Sequence, residues 1–241
     1  MVNGSYDEIA EWYDSFLREN PIYEEIVLPT MLDLVGDVAG RDICDIACGQ
    51  GFISRALARH GARVTGVDVA ERLLDLARGY EAREALAIRY LSDDAQTLTS
   101  FPHDAFELAT CSMALMNIPD IAAAFRAAHR ILQPGGRYVF IITHPCFQTP
   151  HARWIDTEDG RQVRQVSDYI DEGFWTASRA DDVRSRQGEH HRTLSTYFNA
   201  LMDAGFVLER IVEPCASGQS AERYPGRAHV PPFLAARCRA T

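Results

Sequence analysis

Asp45-Ile46-Ala47-Cys48-Gly49-Gln50-Gly51-Phe52 follows a short apolar run that starts at Ile43, and it leads into a segment, Phe52 to His60, with helical spacing. The stretch reads as a strand over 43–47, a turn of small residues, and a helix closed by Gly61 just past its end. Small residues in such a turn let the backbone reverse sharply and lie close to a ligand. In an open α/β sheet, ligands bind at the carboxyl ends of the strands. The turn is therefore a candidate binding loop, with an ordinary tight turn as the alternative.

Strands and helices alternate outward from that turn. Strands are predicted over 62–68, 88–91, 106–112 and 137–143, the last entered through the turn Pro134-Gly135-Gly136. Helices are predicted over 70–78 and 120–132. On the other side, Tyr6, Ile9, Ala10, Tyr13, Phe16 and Leu17 fall at helical spacing behind Ser5 as a cap. A second helix over 22–35 is bent at Pro29. After the strand at 137–143 the alternation stops. Residues 145–192 carry prolines, many charges and scattered aromatics, the marks of an insertion. A helix over 193–204 follows, then two strands over 206–212 and 233–238 with no helix predicted between them.

This order predicts one α/β domain with a Rossmann-like, seven-stranded, mostly parallel sheet and an antiparallel C-terminal edge strand. Residues 1–36 form a helical segment, 37–144 and 193–241 the core, and 145–192 a cap inserted after the fifth strand.

Composition narrows the chemistry. The chain has 241 residues, 46% of them hydrophobic and 24% charged, as in ordinary globular proteins. No apolar stretch reaches the length needed to span a bilayer, and residues 1–14 lack a signal-peptide core, so a cytoplasmic protein without a membrane partner is expected. The formal net charge of -10 argues against a nucleic-acid partner, which needs a basic face. All 24 basic residues are arginine. That excludes a Schiff-base lysine, a pyridoxal phosphate anchor and a Walker lysine. The cysteines at 44, 48, 111, 146, 215 and 238 form no C-x-x-C pair, so reduced thiols and no metal site are expected. The oligomeric state, monomer or homodimer, is left open.

Asp68 ends the second strand, where a carboxylate can accept both hydroxyls of a ribose. Asp94-Ala95 follows the third strand, where a carboxylate can accept a hydrogen bond from an adenine amino group. A nicotinamide-dependent oxidoreductase is one reading of this set. Against it, the third glycine of a G-x-G-x-x-G motif is Ser54, and no Tyr-x-x-x-Lys pair exists. The charge of Asp45 would also repel a pyrophosphate, whereas it would favour an ammonium group.

The segment from about Arg41 to Phe147 resembles a class I S-adenosylmethionine-dependent methyltransferase. The matching motifs are DIACGQGF (45–52), GVD (66–68), SDDA (92–95), MALMNIPD (113–120) and LQPGGRYVF (132–140). The N-terminal YDEIAEWYD (6–14) is similar to the helix that closes over the cofactor in small-molecule members of that group. The resemblance implies S-adenosylmethionine as cofactor and S-adenosylhomocysteine as product. It implies that Asp45, Ala47, Gly49 and Gly51 line the methionine portion, although the family most often has glycine where Ala47 stands. It implies Asp68 on the ribose, Val69 beside the adenine, and Asp94 and Ala95 on the adenine edge. Cys111, Ser112 and Met116 would flank the methionine and the reactive methyl. Tyr6 and Tyr13 would be lid contacts or, alternatively, ordinary helix packing.

Methyl transfer from a sulfonium is an in-line displacement. The enzyme must align the acceptor, exclude water and, for a hydroxyl, remove a proton. His144, directly after the fifth strand, is the first candidate base and His191, at the end of the cap, the second. The alternative is that each is structural. The arginines of the cap could bind an anionic acceptor, but interleaved acids make a solvated surface the simpler reading. Its aromatics, Phe147, Trp154, Phe174 and Trp175, could wall an apolar pocket or pack the cap onto the sheet. Met116-Asn117-Ile118-Pro119 matches neither N-P-P-Y nor P-C-Q, which points away from nucleic-acid methylation. The expected activity is methylation of an oxygen or nitrogen of a small molecule, in bacterial biosynthetic metabolism. C-methylation and a non-methylating S-adenosylmethionine binder are the alternatives.

Overall fold

The computed structural model describes residues 6–178 and 182–241. Ser5, the expected cap of the first helix, lies outside them. A short 3-10 turn, Tyr6–Ile9, leads into α1 (Ala10–Glu19). A π-helical turn, Tyr23–Val27, then passes into α2 (Leu28–Val35). Proline 29 sits in the first turn of α2, where its missing N–H is of no consequence. The predicted bend is thus a change of helix type just before the proline.

The sheet follows. Its strands are β1 (Asp42–Ile46), β2 (Arg63–Asp68), β3 (Arg89–Ser92), β4 (Phe106–Ser112) and β5 (Leu132–Thr143). Between them run α3 (Phe52–Arg59), α4 (Glu71–Glu84) and α5 (Ile121–Ile131). The inserted segment contributes two antiparallel ribbons. The first pairs β6 (Arg153–Asp156) with β7 (Gln162–Gln165), and the second pairs β8 (Gly173–Trp175) with β9 (Glu189–His191). A short helix, α6 (Val183–Gln187), precedes β9. The chain ends with α7 (Leu194–Asp203), β10 (Phe206–Val212), α8 (Gly218–Arg223) and β11 (Phe233–Ala240).

The main sheet has seven strands in the order β10-β11-β5-β4-β1-β2-β3. The pairs β5–β4, β4–β1, β1–β2 and β2–β3 are parallel. β11 runs antiparallel to both β5 and β10, so it lies one place in from the edge and β10 is outermost.

Strand alternation divides the core between the two sheet faces. Tyr138, Phe140 and Ile142 of β5 pack with Phe125 of α5 and Leu201 of α7. Val139 and Ile141 pack on the other face with Met31 and Leu34 of α2 and Leu57 of α3. Both faces are buried, which is why β1 and β5 read as apolar runs rather than as alternating strands.

Three elements differ from expectation. The Pro134-Gly135-Gly136 turn lies inside β5, because pairing with β4 resumes after a shift from Phe106–Leu132 to Leu108–Arg137. α4 continues past Arg78 to Glu84, where polar side chains carry no apolar stripe to read. α8 was not expected either. Its first amides, on Gln219 and Ser220, donate to the Glu25 carboxylate, a partner almost the whole chain away in sequence.

Gly51 caps α3 with φ +80°, and a Cβ there would fall on the hydroxyl of Tyr90 and 2.9 Å from its Cζ. Gly51→Ala should therefore destabilise the fold by about 2–4 kcal/mol, combining a left-handed alanine with overpacking. Urea unfolding checks this; a loss below about 0.5 kcal/mol, the scale of a surface substitution, would refute it.

Candidate functional site

Five residues carry the chain from β1 into α3. Ala47, Gly49 and Gly51 all have positive φ, at 53°, 55° and 80°. Two carboxylates hold this strained path. Asp68 Oδ2 accepts the Gly49 amide at 2.8 Å, and its Oδ1 accepts the Ala70 amide at 2.8 Å. Asp45 Oδ2 accepts the Ser54 hydroxyl at 2.6 Å, and Oδ1 accepts that of Thr110 at 2.8 Å. Burial pushes Asp45 up to about 6, against the hydroxyls that favour its charged form.

Asp45 is consequently a buried tie between β1, α3 and β4. It reaches only a recess of about 40 Å³ behind the turn, not the larger cavity in front of it. Asp45, expected on the methionine portion, lies behind the turn, in a recess that it shares with Ala47, Gly49 and Ser112. Gly51 is not among the residues lining the larger cavity and packs closely on Tyr90.

The larger cavity holds about 470 Å³ and opens at the carboxyl ends of β1, β2 and β4. Ala47, Gly49, Asp68 and Val69 form one side of it. Asp94, Ala95 and Ser112 form another, and Tyr6 and Tyr13 stand above. Val69 is 65% exposed, an aliphatic surface with no protein partner at the cavity edge. Asp94 turns its carboxylate back onto Gln96, taking the Gln96 amide at 2.8 Å. Cys111 lies outside, fully buried beneath the cavity beside Tyr138. The pleat explains this: Ser112, its neighbour, takes the cavity side. Met116 lines a different cavity.

Cavity residues that were not among those expected include Met113, Asn117, Gln187 and His190, and Phe174, a candidate pocket wall, lies there too. The first two belong to the MALMNIPD stretch, which also holds Met116.

The second cavity holds about 150 Å³ and shares Tyr6, Tyr13, Met113 and Asn117 with the first. A run of rings crosses from one to the other. Tyr6 meets Tyr13 edge-on at 5.1 Å, Tyr13 stacks near Phe16 at 6.5 Å, and Phe16 meets Tyr23 at 6.0 Å. Burial pushes the Tyr6 and Tyr13 phenols well up, so both stay neutral. The lid bearing them is held down at several points. Asp7 Oδ1 accepts the Arg72 amide of α4 at 2.8 Å, Arg72 pairs with Glu11, and the Tyr80 hydroxyl donates to Asp14 at 3.0 Å.

Neither expected histidine faces either cavity. The backbone amide of Cys146 donates to His144 Nδ1 at 3.1 Å, so the ring proton must sit on Nε2. That nitrogen donates to Glu213 Oε1 at 2.6 Å. Both nitrogens are occupied, and no lone pair remains to take a substrate proton. His191 is buried against Tyr169 and bonded through Nε2 to the Tyr169 carbonyl at 2.8 Å. The hydrogen-bond partners of the two histidines come from the cap and from Glu213, just after β10, which sequence spacing does not show.

Two carboxylates line the second cavity, Asp182, which is paired with Arg184, and Glu189, at the start of β9. Successive side chains of a strand point to opposite sides, so Glu189 enters this cavity and His190 the larger one. Burial pushes Glu189 up to about 7, opposed by Arg184 3.7 Å away and raised further by Asp182. Thr143 donates to its Oε2 at 3.5 Å. Among the described residues, no group of three or more His, Cys, Asp or Glu is arranged to hold a metal ion. No described helix is long and apolar enough to cross a membrane.

A family model described as a methyltransferase domain matches residues 44–140. The ubiquinone biosynthesis O-methyltransferase of Pseudomonas aeruginosa strain UCBPP-PA14 is 32% identical over 153 residues, covering 59% of this chain and 65% of that protein. The chain thus spans just under two thirds of the length of that curated relative. The [4+2]-cyclase SpnF matches with a TM-score of 0.71 over 98% of this chain and 94% of its own, at 16% identity, which shows the fold alone. An S-adenosylmethionine dependent methyltransferase from Mesorhizobium loti matches with a TM-score of 0.75 at 34% identity, over 88% of this chain and 96% of its own. Similarity of that extent means that this chain belongs to the S-adenosylmethionine-dependent methyltransferases.

Proposed function

We propose that this chain transfers the methyl group of S-adenosylmethionine to an oxygen of a small molecule. The larger cavity takes the cofactor and the second takes the acceptor. One observation carries the reading: the two cavities abut across a wall of Tyr6, Tyr13, Met113 and Asn117, with one buried carboxylate, Glu189, on the acceptor side. The O-methyltransferase named among the relatives supports oxygen as the methylated atom.

The residues present fit the cofactor. A cavity of about 470 Å³ is of the size that encloses a ligand of this class. Each Asp68 oxygen accepts one backbone amide and keeps a lone pair for one ribose hydroxyl. The exposed face of Val69 suits an adenine ring. Asp94 and Ala95 border its edge, while Ala47, Gly49 and Ser112 border the methionine end. Bound there, the cofactor supplies an electrophilic methyl on a sulfonium, and the chain must do the rest. Tyr6 and Tyr13 close over the junction and keep water out. Residues 1–36 would act as the lid and 145–192 as the cap over a core of 37–144 and 193–241. Glu189, oriented by Arg184 and Thr143, would take the proton of the acceptor hydroxyl as the methyl leaves the sulfonium.

Thermal unfolding with S-adenosylhomocysteine and with NAD(H) tests the core of this. Only the former should raise the Tm, and a shift with NAD(H) alone would overturn the reading. Asp68→Ala should weaken S-adenosylhomocysteine binding by about 1.5–3 kcal/mol in calorimetry. An unchanged Kd would remove Asp68 from the ribose.

Glu189→Gln should lower turnover by about 10²–10⁴, read as S-adenosylhomocysteine released with the best hydroxylated acceptor from a screen. The base works deprotonated, so the parent rate should fall as pH drops through about 7, and that limb should vanish in the variant. Arg184, Asp182, Tyr6 and Tyr197 are the groups around it that titrate or carry charge. A limb that persists would assign it to another group. His144→Asn should cost about 1–3 kcal/mol of stability yet leave turnover near the parent value. A loss of about 10² or more would restore His144 as a base.

A further inference from the structure

Three guanidiniums converge behind the acceptor cavity, and two of them are already committed. Arg184 makes a two-pronged pair with Asp182, at 2.9 and 2.6 Å. Arg164 donates to the Phe147 carbonyl at 2.8 Å and lies over the Trp154 ring at 5.2 Å. Arg227, in the 3-10 turn Pro225–Ala228, lines the cavity with Arg184 and Glu189. Its guanidinium stacks 4.4 Å from the centre of the Tyr224 ring and has no hydrogen bond or ion pair among the described residues.

The three cations disturb one another. Burial, with Arg184 and Arg227 adding repulsion, pushes Arg164 down to about 10. Burial also lowers Arg227, and Arg184 again works against it. The opposing charge is thin. Burial works against Asp182, yet its bonds to Arg184 hold it below the ordinary carboxylate range, so it offsets one cation. Glu189 is held too high to offset a second fully at neutral pH. A half-buried excess of positive charge is unfavourable until an anion enters it.

We propose that the acceptor is a hydroxylated single-ring carboxylate, its carboxylate bound by Arg227 and its reacting hydroxyl turned toward Glu189. This rests on the methyl-transfer reading above and names the substrate class of that site. About 150 Å³ is the room that admits one benzene-sized ring. Phe16, Tyr23, Tyr224 and Phe233 supply its aromatic walls. A carboxylate matches the planar two-pronged face of one free guanidinium, while a phosphate dianion would call on a second, and Arg184 is spent on Asp182.

The test is calorimetry on the protein saturated with S-adenosylhomocysteine, titrated with 3-hydroxybenzoate, phenol and inorganic phosphate. 3-Hydroxybenzoate should bind at least about 10-fold more tightly than phenol, and Arg227→Gln should weaken it by about 10- to 100-fold without changing phenol. Arg227→Lys, which keeps charge but loses the fork, should fall between. Equal binding of the acid and phenol, or an acid affinity indifferent to Arg227→Gln, overturns the proposal. So does Arg227-dependent binding of phosphate in preference to the acid. The Tm shift with S-adenosylhomocysteine in each variant shows that it is folded. Arg227-dependent acid binding in a protein that ignores S-adenosylhomocysteine would keep this site and sink the methyl-transfer reading. Cofactor binding without acid binding would do the reverse.

Discussion

The turn from Ala47 to Gly51 has to leave a buried strand, border a cavity and enter a helix within five residues. That requires positive φ three times, once at an alanine, where a Cβ makes the conformation costly. The turn is held from both ends by carboxylates that seldom sit so deep. Asp45 joins it to α3 and β4 from below, and Asp68 joins it to α4 from the front. Each is pushed up by burial, and each is answered by hydrogen bonds that favour its charged form. The shape of the cofactor cavity depends on this arrangement, since its floor is the turn itself.

Tyr6, Tyr13, Phe174, Gln187 and His190, which also line the cavity, come from segments outside the seven-stranded sheet. The lid crosses from α1 and is fastened to α4 through Asp7, Glu11 and Asp14, so closing it also caps an amide near the start of α4 that no local side chain satisfies. The cap returns as β9, a strand of three residues paired only with β8. Asn117 donates to the Gly188 carbonyl at 3.0 Å and fixes where β9 begins. With the start fixed, the two-residue period of a strand sends Glu189 to one cavity and His190 to the other. A slip of one residue would exchange them. Buried Arg192, which donates to the carbonyls of Leu115, Ile118 and Pro119, locks the far end of the same strand to the loop after β4.

The two cavities differ in electrostatic character, and that difference suits the occupants proposed for them. The cofactor side carries Asp68 and Asp94 against a ligand with a cationic centre. The acceptor side carries Arg184 and Arg227 with a carboxyl group poised near neutrality. The rings between them, Tyr6 and Tyr13, are neutral and bulky. They separate the two environments without adding charge at the junction where the methyl group would pass.

The fold was largely legible in the sequence because its signals are local. Strand alternation, the Gly49-Gln50-Gly51 turn and the Asp120 and Thr193 helix caps each depend on residues within a few positions of one another. The lining of the larger cavity was partly legible for the same reason, since Ala47, Gly49, Asp68, Asp94 and Ser112 stand at strand ends that the alternation already locates. Where sequence reasoning failed, the deciding partner was remote. His144 reads as a base beside a strand end until the backbone of Cys146 and the carboxylate of Glu213 occupy both its nitrogens. Glu189 reads as one more acid in a mixed-charge insertion until folding removes its water and places it beside Arg184. Arg227 sits in a loop with no pattern at all. Sequence by itself determined the sheet and the turn, because hydrophobic period and backbone sterics act over short range, and it pointed to the class of cofactor through the family motifs that it carries. Tertiary structure alone decided which charged groups face the acceptor, because burial and long-range pairing set both where a side chain points and whether it holds its proton.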